Sequence, residues 1–422
     1  MRSCGLLLVF FLYAAGSVGQ VRAQSFRGTE KLAGDGKAQE NEPEAEQSNP
    51  YSSAAEQPEE DFFDSYCDEL YDELGIGRVD QELYALGKRY GQQDNLSFSE
   101  ITRLLMEGRV DEAFGEAMEG MGQKLMGELL VNRELLVRLF LLVVLASLFH
   151  NYSSVLKSGF AGEQGFYVTY LMIAALLIQS FTLAYDVAEH AVTSLHEIMN
   201  CMLPAFYLSI VLVGGLSTSQ MVSSLFIGML SFVERLLLEL VLPGIRIYFL
   251  IMLMNQIGEK DRFSKLAGLL RQGIGLVLKT MVTGIVGLNL MKSLLVPVYE
   301  SARYGLLQKG LSALPGGSSL SGLSTLLLGA GVLLKNSVGI TVVVLLLVFT
   351  GVPILKLFGF SLLYRILLAL IQPVSDKRIM AGIQGAAESI EILLRAVATA
   401  VVLFILSVAI VIMTTNVRLY IS

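Results

Sequence analysis

The 422-residue sequence contains no tryptophan and only three histidines and three cysteines. The cysteines, Cys4, Cys67 and Cys201, lie far apart in regions of different character, so they form no disulfide framework and no zinc-binding spacing. The histidines are equally scattered, at His150, His190 and His196. The sequence therefore predicts no metal site and no disulfide-stabilised domain.

The motifs that carry catalysis are missing as well. We find no P-loop, no HExxH, no Ser/His/Asp arrangement and no dinucleotide-binding fingerprint. The sequence thus predicts no catalytic residues and no cofactor-binding residues, and it indicates a protein that is not an enzyme. We also expect no nucleic acid among its partners.

Charged side chains are scarce and unevenly distributed. They make up 16% of the chain, against about 25% in soluble domains, while 53% of the residues are hydrophobic. Residues 24–134 hold 26 acidic and 10 basic side chains, whereas residues 135–422 hold 12 acidic and 19 basic ones. This division predicts an acidic aqueous segment followed by an apolar membrane domain with basic connectors.

The first 23 residues have the pattern of a secretory signal peptide. A basic start precedes the apolar run 5–16, and the small residue Ala23 marks the expected cleavage position. The alternative is an uncleaved signal anchor, which would also export the residues after it. Residues 24–60 are rich in Glu, Gln, Ser, Pro and Gly, a composition typical of a disordered acidic linker.

Residues 61–134 are predicted to form an exported helical segment. Large apolar side chains recur at helical spacing from Phe62 onward, and Ser97 with Glu100 resembles a capping box at the start of a short helix. A longer amphipathic helix, 111–134, leads into the first span. The pattern leaves two alternatives open, a small folded domain and a loosely packed stalk.

Residues 135–422 are predicted to be a multi-span helical membrane domain, so the expected fold class is all-α and polytopic. A span needs about 20 predominantly apolar residues. Six runs qualify, and four shorter runs could be short spans, halves of re-entrant hairpins or interfacial helices, which gives seven to ten membrane elements. The six are Gly165–Ala184, Met199–Leu216, Leu236–Met254, Ile274–Met291, Val338–Leu355 and Ala396–Met413, and the four are Leu135–Phe149, Met221–Val233, Leu320–Leu334 and Leu357–Ile371.

The connectors between these runs indicate the orientation. Residues 185–198 carry no Lys or Arg and are expected outside, whereas the basic connectors 256–272 and 375–395 are expected in the cytoplasm. Both cytoplasmic connectors are amphipathic. The second has an apolar stripe that predicts a helix lying on the inner membrane surface or, alternatively, against a cytoplasmic partner. That stripe consists of Ile379, Ile383, Ala386, Ile390 and Leu393.

Ionisable residues inside apolar runs mark candidate pathways or ion pairs. The candidates here are Glu234, Arg235, Glu239, Arg246 and Lys279. Because Arg235 and Glu239 are four residues apart, they share a helix face and form the most plausible pair. A neutralised pair is favoured over a conduction path, which stays open as the alternative.

Two stretches of the apolar region are distinctive, 333–340 (LLKNSVGI) and 370–379 (LIQPVSDKRI), together with a proline-containing span that ends in a glycine pair. In these segments the chain resembles stage III sporulation protein AE of endospore-forming bacteria. The positions that match are Pro204, Gly214, Gly215, Lys335, Asn336, Gln372, Pro373, Ser375, Asp376, Lys377 and Arg378.

The resemblance implies a role and no reaction. It implies a component of a multiprotein, secretion-like channel that connects mother cell and forespore after engulfment, with other membrane proteins of that complex and the lipid bilayer as partners. It also implies a location in the outer forespore membrane, with the N-terminal segment in the intermembrane space. Two alternatives remain on composition: a stand-alone permease for a small solute, and an envelope sensor that uses its exported segment.

Overall fold

The computed structural model describes seven stretches of the chain and three isolated helical positions. These are 76–89, 97–118, 159–214, 227–257, 263–311, 317–372 and 377–414, with Val137, Leu141 and Val144. They belong to one compact unit, Asp64–Ser422. No strand occurs among the described residues. The predicted signal peptide (1–23), the acidic linker (24–60) and the run Leu135–Phe149, apart from those three positions, lie outside them.

Eight helices make up the described part of the chain. They are α1 (Ile76–Arg89), α2 (Phe98–Met106), α3 (Val110–Met118), α4 (Gly159–Gly214), α5 (Ile227–Asn255), α6 (Ser264–Leu311), α7 (Gly317–Ile371) and α8 (Lys377–Thr414). Helix α8 is central, because it packs against each of α4, α5, α6 and α7. The short helices α1 and α2 pack on α4 and α7, respectively.

Five of these helices are long and apolar enough to cross a membrane. The candidate spans are Tyr167–Val211, Ile227–Asn255, Ser264–Leu288, Gly331–Ile371 and Lys377–Ile412. This confirms the expectation of a helical protein with several candidate membrane spans. Where the sequence suggested more and shorter elements, neighbouring runs join into single helices.

Helix α4 shows why the elements are longer than expected. The stretch 185–198, expected as an outside connector between two spans, is helical throughout. It contains no glycine or proline that would break a helix. Its apolar side chains Ala188, Val192 and Leu195 are buried at helical spacing, while Glu189 and His190 are exposed. The polar residues therefore mark one face of a helix and not a loop.

The basic connector 375–395 is also part of a longer helix. From Lys377 onward it is continuous with the next apolar run, and together they form α8. All five side chains of its apolar stripe are at most 2% exposed, because α4, α5, α6 and α7 surround them. The prediction of a helix lying on the membrane surface is wrong here, since the stripe packs into the protein.

Two other boundaries also move. Helix α6 takes in residues 264–272 of the first basic connector, and α7 joins the runs Val338–Leu355 and Leu357–Ile371. In α5 a single π-helical turn, Leu237–Val241, precedes Pro243. Proline has no backbone N–H to donate, and a π-turn is one way for a helix to accommodate this change.

Side-chain contacts define two ends of the bundle. At the basal end the Tyr170 hydroxyl donates to the carbonyl oxygen of Leu253 at 2.7 Å, and Gly382 lies against the Tyr170 ring. At the apical end Gly339 packs against Ile412 and Phe206. Helices α4 and α8 thus run from base to apex, and α7 runs the opposite way.

Among the side chains that the structure describes, the basal half carries most of the exposed large apolar ones of the five long helices. They are Val168, Leu171, Met172, Ile178 and Leu183 of α4, Ile247, Leu250 and Met254 of α5, Leu266, Leu269 and Leu276 of α6, and Phe358, Leu362, Ile366 and Leu370 of α7. The 45 residues of the α4 candidate span extend about 68 Å, whereas the bilayer core is about 30 Å thick. A bilayer therefore covers only part of this helix.

Candidate functional site

The N-terminal helices meet the bundle at its apical end. The hydroxyl groups of Thr102 in α2 and Thr341 in α7 lie 2.9 Å apart, and both side chains are fully buried. The Cys201 thiol of α4 lies 3.7 Å from the Val79 carbonyl oxygen of α1. These contacts join residues from far apart in the chain, so α1 and α2 dock directly on two long helices.

The start of α2 is held by α1 as well as by its own residues. The Ser97 hydroxyl accepts a hydrogen bond from the Glu100 amide at 3.3 Å, as the capping-box pattern predicts. Asp80 of α1 accepts from the amides of Phe98 and Ser99. A carboxylate at a helix N-terminus satisfies free amides and interacts favourably with the helix dipole. The cap therefore fixes α2 relative to α1.

The turn from α2 to α3 also has a defined geometry. Gly108 has a φ of 78°, a left-handed conformation that favours glycine, and the Arg109 amide donates to the Leu104 carbonyl oxygen at 2.9 Å. Arg109 forms ion pairs with Glu107 and Glu112, and its guanidinium lowers the pKa of both carboxyl groups. These contacts favour a folded N-terminal domain, which consists of α1 to α3, over a loose stalk.

Three of the five predicted charges lie on one side of α5. Arg235 Nε lies 3.3 Å from Glu239 Oε1, as their spacing predicts, and both side chains are mostly exposed. Glu234 Oε2 lies 3.0 Å from His196 Nδ1 of α4, in a geometry that forms no hydrogen bond. Glu234, Arg235 and Glu239 line an open cleft of about 620 Å³. These three charges thus lie at the protein surface and not inside the bundle.

The two remaining predicted charges are separate from this cleft. The Arg246 guanidinium lies over the Tyr185 ring at 4.5 Å from its centroid, a cation–π contact. Lys279 lies on the exposed side of α6. The five predicted charges therefore do not converge on one site.

A different set of charges comes together around α8. Gln384, Glu388, Glu391 and Arg395 follow one another at helical spacing and form what we name the polar stripe. Arg271 of α6 lies 3.0 Å from Glu388 on one side of the stripe.

Helix α7 supplies the charge on the other side of the stripe. Arg365 lies 2.9 Å from Glu391, which also pairs with Arg395 at 2.7 Å. The Tyr248 hydroxyl of α5 donates to Glu388 at 2.9 Å. The pairs Arg365–Glu391 and Arg271–Glu388 could not be predicted from the sequence pattern, because the partners lie 26 and 117 residues apart.

The positions of the sporulation-family pattern lie at both ends of the bundle. Lys335 is fully buried at the apex, where its Nζ donates to the Ile412 carbonyl oxygen at 3.4 Å. Pro204 lies inside α4, and Asn336 is half-buried next to Lys335 in α7. Gly214 ends α4, Gln372 directly follows α7, and Lys377 and Arg378 begin α8. Gly215, Pro373, Ser375 and Asp376 lie outside the described residues.

Metal binding finds no support in the described side chains. No group of three or more His, Cys, Asp or Glu side chains with metal-binding proximity occurs among them. What the described residues do form is a set of helix–helix ion pairs and a docked N-terminal domain.

The comparison with known families is decisive for identity. The family described as stage III sporulation protein AE matches residues 96–415, which include α2 to α8. The chain belongs to the stage III sporulation protein AE family. The resemblance noted in the sequence is thereby confirmed, and the chain is a sporulation-associated, multi-pass membrane protein.

A curated member of the family gives the same result. The chain is similar to stage III sporulation protein AE of Bacillus subtilis (strain 168), with 21% identity over 315 residues. That alignment covers 72% of this chain and 78% of the relative. No solved structure matches the fold.

Proposed function

We propose that this chain is a non-enzymatic integral membrane component of the channel that connects mother cell and forespore. The observation that carries the proposal is the family match over residues 96–415, which extends through the docked helix α2 and all five candidate spans. Through this channel the chain supports development of the forespore. Its partners are the other membrane proteins of the same secretion-like complex.

The arrangement of helices supports a structural role. Helices α1 and α2 are docked on the apical ends of α4 and α7, so the N-terminal domain and the spans form one unit that can join proteins in and outside the membrane. In this proposal α1 to α3 lie in the intermembrane space and the spans lie in the outer forespore membrane, an arrangement that the predicted signal peptide supports.

Deletion of the gene in the spore-forming host tests the proposal. We expect normal vegetative growth, completed engulfment, and loss of late forespore gene expression, measured with a forespore-specific fluorescent reporter. Restoring the full-length gene should restore the reporter, which is the control for effects on neighbouring genes.

Two other outcomes would contradict the proposal. A growth or uptake defect in vegetative cells would favour the stand-alone permease. Normal late gene expression in cells that fail to respond to an envelope signal would favour the sensor.

A further inference from the structure

The polar stripe of α8 lies at the same level of the bundle as exposed apolar side chains of α5 and α7. Arg365, which pairs with Glu391, is flanked on α7 by Leu362 and Ile366, both 47% exposed. Tyr248, which donates to Glu388, is next to the exposed Ile247 on α5. Polar and exposed apolar side chains thus occur at one level of the bundle.

The stripe is accessible from outside the protein. The side chains of Arg271, Arg365 and Arg395 are 50%, 63% and 61% exposed, and Gln384 is exposed as well. The two glutamates are about a quarter exposed. The charged groups are therefore not sealed inside the bundle by the helices that flank them.

Lipid is a poor neighbour for this surface. A charged side chain is costly within the bilayer core and almost always faces the bundle interior or a water-filled cavity. Here three arginines and two glutamates lie together, which leaves an excess positive charge after pairing. Snorkelling does not remove the problem, because the ion pairs hold the guanidinium groups against α8.

From this juxtaposition we infer that the groove between α6 and α7, lined by the polar stripe, faces water at membrane depth. Water satisfies the hydrogen-bonding capacity that the ion pairs leave open on the guanidinium groups. The inference rests on the proposed function in one respect. If the chain is part of a channel, this groove is the side of the chain that faces the aqueous path of that channel. The exposed apolar sides of α4 and α5 face lipid.

The absence of tryptophan makes a direct test possible. Single tryptophans are introduced into the full-length chain, purified and reconstituted in phosphatidylcholine vesicles. Gln384→Trp reports on the stripe, and Leu171→Trp on α4 and Leu250→Trp on α5 are controls at similar depth on exposed apolar faces. Iodide added on both sides of the vesicle membrane quenches from water, and brominated phosphatidylcholine quenches from the bilayer core.

We expect iodide to quench Gln384→Trp several-fold more strongly than either leucine variant, and brominated lipid to give the reverse order. Quenching of Gln384→Trp by brominated lipid would overturn the inference, because the stripe would then face lipid. Protection from both quenchers would overturn it too, since a second copy of the chain would then cover the groove.

A second variant on the stripe checks that the result does not come from misfolding of Gln384→Trp. Arg395→Trp keeps the Arg365–Glu391 pair and should show the same preference for iodide. Because the vesicles contain only this chain, the result is independent of the sporulation phenotype. If the stripe faces lipid in vesicles while the deletion strain loses late forespore gene expression, the inference about the groove is refuted and the proposed function is not.

Discussion

Among the glycines that the structure describes, Gly339 leaves the least room for a Cβ atom. A Cβ atom at this position would overlap the end of the Ile412 side chain and lie 3.5 Å from the Phe206 ring. Gly284 of α6, by contrast, has no atom within 4 Å of an added Cβ. The two glycines therefore make a matched pair for testing the packing at the apex.

We expect Gly339→Ala to destabilise the protein by about 1–3 kcal/mol, the usual cost of overpacking a filled core. Gly284→Ala should be neutral or stabilise by up to about 1 kcal/mol, because alanine favours the helix. Thermal unfolding in detergent measures both. An unfolding temperature for Gly339→Ala equal to that of the wild type would show that the apex is not packed as described.

At the residue scale, the sequence predicts contacts between residues that lie within about one helix turn of each other. The ion pair Arg235–Glu239 and the Ser97 cap both follow from spacings of four and three residues. The Arg365–Glu391 pair and the Asp80 cap depend on the packing of separate helices, which a single sequence does not encode as a pattern.

Among the helices, the docking of α2 on α7 is the least expected contact. It joins an acidic N-terminal segment to the most apolar of the candidate spans, whose mean hydropathy is 2.7. The apical part of that span, residues 341–346, is fully covered by protein. A strongly apolar run is therefore used here for packing between helices as well as for membrane insertion.

Paired cysteines test this docking. In a chain whose native cysteines are replaced by serine, Thr102→Cys with Thr341→Cys should form a disulfide on mild oxidation, because the two Oγ atoms are 2.9 Å apart. The product should migrate faster on a non-reducing gel, since the bond closes a loop across a separation of 239 residues.

The matched control replaces Arg103, the next residue of α2, whose side chain is 76% exposed. Arg103→Cys with Thr341→Cys should give little cross-link under the same conditions. Equal cross-linking of the two pairs would mean that α2 does not dock with one defined face.

The helices themselves could be predicted from the sequence, but their ends could not. Residues 185–198 and 375–395 carry the polar residues expected of connectors, yet each continues into an apolar run without a helix-breaking residue at the junction. What decides between a surface helix and a central one is the burial of the stripe from Ile379 to Leu393. That burial requires four neighbouring helices, and so it becomes evident only in the folded bundle.

For the molecule as a whole, the bundle has two distinct ends. The N-terminal domain is docked at the apex, and the basic side chains Lys265, Lys377 and Arg378 lie at the base. An excess of Lys and Arg is typical of the cytoplasmic side of a membrane protein. The charge pattern and the predicted signal peptide therefore agree on one orientation, with the apex exported.

The most direct test of this account is the side of the membrane on which each end lies. In a chain with Cys4 and Cys67 replaced by serine, single cysteines are placed at exposed positions of the two ends, Lys88→Cys at the apex and Lys265→Cys at the base. Cys201, which is buried, stays in place. A membrane-impermeant maleimide is then applied to intact and to permeabilised vegetative cells that express each variant.

We predict that Lys88→Cys is labelled in intact cells and that Lys265→Cys is labelled only after permeabilisation. Labelling of Lys265→Cys in intact cells, or protection of Lys88→Cys until the membrane is opened, would contradict the account.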